Sequence, residues 1–175
     1  MIVHVRFTCA ADYNERRLPH RPAHLAQLAA LRAEGRVVAG GPEPDGSAAH
    51  IFYRVADLPE LERVLDDNVF QKAGLFAARH PRGFTEFLEP LTPSPLDTGV
   101  KCTLAEGTPL DHGLARQRLA DLQRDKRAAF GGFYADGAGL FVLTTESPVE
   151  AVAWLTAGGG WDPAGLRTRA WSQTL

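Results

Sequence analysis

The chain has 175 residues, enough for one sizeable domain or for two small ones that share an interface. Hydrophobic residues make up 45% of it and charged residues 23%, an ordinary globular balance. The net charge of -2 lacks the basic excess of a nucleic-acid or membrane-surface binder, so neither is expected as a partner.

No run reaches the roughly 20 apolar residues of a membrane span. The start, Met1-Ile2-Val3-His4-Val5-Arg6-Phe7, has neither the basic head nor the cleavage site of a signal peptide. A cytoplasmic location is expected. Cys9 and Cys102 have neither the count nor the spacing of a disulfide framework or a zinc site. They read as free, buried thiols in predicted strands.

Met1 to Cys9 is rich in β-branched and aromatic residues and reads as a strand. Residues 10–19 read as a loop. From Arg21 to Glu34, Leu25, Leu28, Ala29, Leu31 and Ala33 recur at helical spacing, with Pro22 suited to the first turn and Gly35 ending the run. Val37-Val38-Ala39 begins a strand that Gly40-Gly41-Pro42 is expected to break or bend. Asp45-Gly46 marks a turn, and Ala49 to Val55 a strand. Asp57-Leu58-Pro59-Glu60 has the spacing of a capping box and opens a second helix with Leu61, Val64 and Leu65 inward. Leu75 to Leu88 reads as a final strand interrupted at Pro81-Arg82-Gly83.

Pro90, Pro93 and Pro95 then make a stiff connector. Beyond it the order repeats: strand 99–105, helix 114–124, strand 128–134, strand 140–145, a helix from Ser147, and strand 166–171. Gly40-Gly41 returns as Gly131-Gly132, Asp45-Gly46 as Asp136-Gly137, Arg36 as Arg127, and Ala73-Gly74-Leu75 as Ala164-Gly165-Leu166, all 91 residues on. The expected organisation is therefore a module over 1–90, a Pro-rich linker over 91–98, and a degenerate second module over 99–175.

Each module has the β-α-β-β-α-β order of a ferredoxin-like α+β fold, in which both helices cover one face of a four-stranded antiparallel sheet. The bare faces need covering. Packing them sheet to sheet within one chain makes a pseudo-dimeric barrel, expected as a monomer or a weak homo-oligomer. The cleft between the sheets is then a natural place for a small-molecule ligand.

Three segments carry a family resemblance: Arg21-Pro22-Ala23-His24-Leu25, Gly35-Arg36-Val37-Val38-Ala39-Gly40-Gly41-Pro42, and Phe70-Gln71-Lys72-Ala73-Gly74-Leu75. In this order they resemble the YCII-related family, which has a ferredoxin-like fold and pairs into a dimeric α/β barrel. The resemblance implies a pocket with a histidine and an aspartate as a catalytic dyad. The histidine falls on His24. The aspartate position falls on Asn68, with Asp67 next to it, and Phe70 falls in the same pocket. In the second module, His24 is matched by Ala115 and Asn68 by Gly159.

On its residues alone, His24 is either a surface group on a first helical turn or a pocket acid/base. Arg21, one turn earlier, is either a solvated charge or an anchor for a ligand carboxylate. Gly41 and Pro42 read as a bulge or strand end that lets a ligand approach the backbone. No metal spacing, phosphate loop or dinucleotide fingerprint is present. Two functions remain open. One is a cofactor-free lyase, isomerase or dehydrohalogenase-like enzyme using His24 with Asn68 or Asp67. The other is a non-catalytic ligand-binding or structural protein.

Overall fold

Val3, Val5 and Phe7 alternate with His4, Arg6 and Thr8, which makes Ile2–Cys9 a two-faced strand, β1. A computed structural model describes residues 1–91 and 99–174 of the chain. Contacts divide it into two units. The first holds Met1–Gly83 with the C-terminal residues from Ser172; the second holds the residues from Phe84 and Val100–Trp171. The connector expected at 91–98 lies, beyond Leu91, outside the described residues.

In the first unit β1 is followed by α1 (Tyr13–Arg16), α2 (Arg21–Ala33), β2 (Val37–Pro42), β3 (Ala48–Arg54), α3 (Leu58–Asp67), α4 (Val69–Lys72) and β4 (Phe76–Leu88). The sheet order is β2-β3-β1-β4, with every described pairing antiparallel. Val3, Val5 and Phe7 join Ala49, Ile51 and Tyr53 of β3 and Leu61, Leu65, Phe70 and Phe76 in one core under the helices. Each Val, Leu, Ile or Phe among them, fully buried, contributes about 1.5–3 kcal/mol.

The second unit uses the second half of β4 with β5 (Val100–Gly107), α5 (His112–Arg124), β6 (Ala128–Tyr134), β7 (Gly139–Leu143), α6 (Pro148–Thr156) and β8 (Arg167–Gln173). Its sheet order is β4-β6-β7-β5-β8. Its core gathers Leu119 and Leu122 of α5, Phe133, Phe141, Leu155 and Trp161. Both units thus carry the β-α-β-β-α-β order expected from the repeat.

The capping signals hold. Asp57 Oδ1 accepts from Glu60 N at 2.8 Å, and Glu60 Oε2 accepts from Ala56 N at 2.6 Å. Ser147 Oγ accepts from Glu150 N at 3.2 Å. Gly46 and Gly137 both take positive φ in their turns, at 76° and 81°.

Three local expectations fail, each for a tertiary reason. Residues 10–19 include α1, whose one apolar residue, Tyr13, is buried beside Phe70 and Phe76. Strand β4 runs through Pro81 without a break. Among the described pairings its first half pairs with β1 and its pairing with β6 begins at Phe84, so at Pro81 the strand has one described partner and less demand for an N–H. Strand β2 runs through Gly40-Gly41-Pro42. A Cβ on Gly41 would sit 1.9 Å from Ser172 O, and one on Gly132 2.2 Å from Glu86 O. The repeated glycines therefore admit a neighbouring strand's backbone. They do not serve to break their own strand.

Replacing Gly41 with Ala forces Ser172 away from β2. The expected result is a loss of about 2 kcal/mol in unfolding free energy, read by urea titration. A change below about 0.5 kcal/mol contradicts this close packing.

Candidate active site

Helix α2 sets the site. Arg17, Arg21 and His24 succeed one another at helical spacing, with Arg21 N donating to Arg17 O at 2.8 Å and His24 N to His20 O at 3.0 Å. His24 and Leu28 are the buried residues of α2. The His24 side chain is 7% exposed and stacks on Phe70, with ring centroids 3.7 Å apart and planes 11° apart. Its Nδ1 is buried and has no hydrogen-bond partner.

A cavity of about 190 Å³ lies against this ring. Helix α2 and the turn before it supply Arg17, Arg21, His24, Leu25 and Leu28; the sheet supplies Gly41, Pro42, Ala49 and Ile51. Phe70 and Thr174 complete the wall. Ala49, Ile51, Leu28 and Phe70 belong to the core under the helices, so this cavity is on the helix-covered side of the sheet. The repeat pattern had pointed to the bare face instead. His24 points to the covered side because it shares the sheet-facing stripe of α2 with Leu28. Thr174 arrives because its N donates to Gly40 O at 2.9 Å. The space that glycine leaves at position 41 is taken by Ser172 O, so it serves the chain's own C-terminal segment and not a ligand's approach.

Of the residues singled out in the sequence, Arg21, His24, Gly41, Pro42 and Phe70 meet at this cavity, and Asn68 and Asp67 do not line it. Asn68 is 1% exposed, and its Oδ1 accepts from Phe70 N at 2.9 Å and Gln71 N at 3.3 Å, capping α4. Asp67 faces outward and bonds Lys72 Nζ at 2.8 Å, and that ammonium holds its carboxyl below the usual range. Neither forms a hydrogen bond with His24. The expected dyad is therefore not assembled. The cause lies in Gln27, which sequence reasoning missed. Its Nε2 donates to Asp67 O at 2.8 Å and its Oε1 accepts from Val69 N at 3.0 Å. This clamp turns Asp67 out and Asn68 in, and it seats Phe70 under His24.

Burial pulls the His24 imidazole from its ordinary value near 6.5 down to about 4. Burial also pushes the Tyr53 hydroxyl well up, with Asn68 working in the opposite direction. Cys9 and Cys102 are free and buried, and burial raises each to about 11, which makes them poor nucleophiles.

The second unit has a groove at the matching place, lined by Leu119, Gly132 and Phe133 where the first has Leu28, Gly41 and Pro42. Ala115 stands for His24 and Trp161 for Phe70. Trp161 is 3% exposed, filling the core between Phe133 and Phe141. The groove's Arg116 pairs with Glu86. A second polar feature was also not read from the sequence. On the first sheet's helix-free face, His4 Nε2 meets His50 Nδ1 at 2.9 Å, and His50 Nε2 meets Glu43 Oε1 at 3.0 Å. Leu104 and Leu140 hold the corresponding places on β5 and β7. Among the described residues no group of histidine, cysteine and acidic side chains could hold a metal ion, and no helix is long and apolar enough to cross a membrane.

A depressed histidine binds its proton more readily in the unfolded chain, so its contribution to stability is present above pH 6.5 and is lost as pH falls towards 4. The shift corresponds to about 3 kcal/mol. The stability difference between wild type and His24→Phe is expected to change by that amount across this window, measured by urea unfolding at stepped pH. A difference independent of pH contradicts a buried neutral imidazole.

Among solved structures, a "putative monooxygenase" from Lactobacillus acidophilus NCFM matches 99% of this chain and 94% of its own at 11% identity, with a TM-score of 0.62. A heme-binding protein from Thermus thermophilus matches 98% of this chain and 90% of its own at 12% identity, with a TM-score of 0.53. These likenesses span both units and place the chain in the α+β, dimeric α/β-barrel fold class. The 5-chloro-2-hydroxyhydroquinone dehydrochlorinase of Burkholderia phenoliruptrix AC1100 matches 49% of this chain and 94% of its own at 23% identity, with a TM-score of 0.45. No curated protein sequence matches the chain. The YCII-related domain family matches residues 3–85, the stretch that carries His24, its cavity and the Gln27 clamp. Residues 3–85 of this chain are a YCII-related domain, followed by a degenerate second copy.

Proposed function

We propose that the first module is a small-molecule enzyme in which His24 transfers a proton, and that the second module carries no chemistry. The observation that supports this is a buried imidazole, its Nδ1 without a hydrogen-bond partner, in a residue that lines a cavity of about 190 Å³. The imidazole is neutral at physiological pH, so it can take a proton. Among the described residues no carboxylate pairs with it to stabilise the imidazolium. The countercharge must therefore come from the substrate. A substrate that becomes an enolate or phenolate as it loses its proton supplies it. The imidazolium then returns the proton to another atom of the same molecule, or to a departing group. That is the chemistry of an isomerase or lyase, and it needs no cofactor. Arg21 lines the same cavity, and in this reading it binds the oxygen on which charge develops.

A second reading is a protein that binds a ligand without transforming it. The capping role of Asn68 and the outward turn of Asp67 favour it, since both withhold a partner from His24.

Incubation with a library of small carbonyl and hydroxy-aromatic compounds, followed by proton NMR, separates the two. The enzyme reading expects at least one compound to be converted by wild type and slowed about 100-fold or more by His24→Phe. Compounds that bind both proteins and remain unchanged, even in their deuterium content in heavy water, favour the binding reading.

A further inference from the structure

We infer that Gln27 is a positioning residue for the site: its side-chain amide ties the α3–α4 junction to α2 and so holds Phe70 flat against the His24 ring. The bearing on catalysis rests on the reading of His24 as the proton carrier; the tie itself does not.

Gln27 follows His24 by three residues, so the two project from neighbouring places on α2. Both reach the α3–α4 junction. The Gln27 amide brackets Asn68, donating from Nε2 to Asp67 O at 2.8 Å and accepting at Oε1 from Val69 N at 3.0 Å. His24 meets the next residue, Phe70, with ring centroids 3.7 Å apart. Asn68 Oδ1 already caps α4 through Phe70 N and Gln71 N. What Gln27 adds is a tie between that junction and the helix that carries the imidazole. Tyr13 and Phe76 meet Phe70 edge-on, with centroids 5.8 Å and 5.7 Å away, and leave its face to His24.

The second unit provides an internal comparison. Arg118 stands 91 residues on from Gln27, and its Nε donates to Trp154 O at 2.6 Å. Gly158, Gly159 and Gly160 stand for Asp67, Asn68 and Val69. Gly158 and Gly159 take positive φ, at 106° and 82°, where Asn68 has a φ of -60°. The backbone there follows another path, and the amide and the imidazole are lost together. A carboxylate partner raises an imidazole's affinity for protons, whereas an aromatic ring that excludes water lowers it. Gln27 selects the second condition. It keeps Asn68 on its cap and Phe70 on the ring, and burial then lowers the His24 pKa to about 4.

The test follows the His24 ring by nitrogen-15 NMR as pH is varied, in wild type and two variants. The other charged or titratable side chains around the ring are Arg17 and Arg21 on the cavity wall and Tyr13 and Cys9 in the core, and neither variant changes them. Gln27→Met keeps the side chain's length and removes both hydrogen bonds. It is expected to raise the His24 midpoint by about one pH unit or more, a tenfold gain in proton affinity. Asp57→Ala removes the cap at the far end of α3 and is expected to leave the midpoint at its wild-type value. An unmoved midpoint in a folded Gln27→Met protein overturns the inference. So does an equal rise in Asp57→Ala, since general loosening then accounts for both. Should Gln27→Met not fold, hydrogen exchange in wild type decides: a protected Val69 N–H supports the tie, and exchange at the unprotected rate overturns it. With a compound that wild type converts, the low-pH limb of kcat/KM is expected to move up with the midpoint. A raised midpoint in a protein that converts nothing keeps the tie and removes the enzyme reading. An unmoved midpoint in an active enzyme does the reverse.

Discussion

The desolvation of one imidazole governs the site. His24 is pressed flat against Phe70, with its Nδ1 edge sealed from water and from every polar side chain. This arrangement holds the ring neutral. It also costs stability that the surrounding core must supply. The core does so through Leu28, Ile51, Phe70 and Phe76, whose burial is set by the sheet-and-helix layers of the first unit. The fold and the chemistry are therefore coupled: the side chains that stabilise the module are the ones that dry the histidine.

Duplication followed by loss explains the contrast between the units. Backbone requirements persist in both. Gly41 and Gly132 each leave room for a neighbouring strand's carbonyl, and Gly46 and Gly137 each close a turn at positive φ. These positions are dictated by sterics that every copy must obey. Chemical positions have drifted. Trp161 and Ala115 turn the place of Phe70 and His24 into plain core, and Leu104 and Leu140 stand where the first module has the His4–His50 pair. The second unit keeps a groove, but one that holds the Arg116–Glu86 pair and no imidazole. The first unit in turn takes Thr174 from the far end of the chain to wall its cavity, and Ser172 to pack against Gly41.

What could be read in advance was local or repeated. Asp57 with Glu60 and Ser147 with Glu150 carry their capping bonds within four residues, so spacing alone reveals them. The 91-residue recurrence exposed the tandem plan because four landmarks share one shift. What escaped was set by contacts between distant segments. Tyr13 gives no periodic signal in so short a helix. Pro81 is tolerated where β4 has β1 as its one described partner. The Gln27 clamp acts across 40 and 42 residues of sequence, and no pattern announces it. The same clamp is why a motif-based pairing of His24 with Asn68 or Asp67 does not form. Arg17 lay in a stretch taken for a loop, so its place beside His24 was invisible until α1 set the chain's direction.

The most direct test is nitrogen-15 NMR of the His24 ring as pH is varied, since the two ring-nitrogen shifts report protonation and tautomer without reference to any substrate. A neutral ring throughout the physiological range, gaining its proton only near pH 4, is the predicted result. A ring that titrates near 6.5 or above, like a solvent-exposed histidine, contradicts the sealed imidazole on which the site is built.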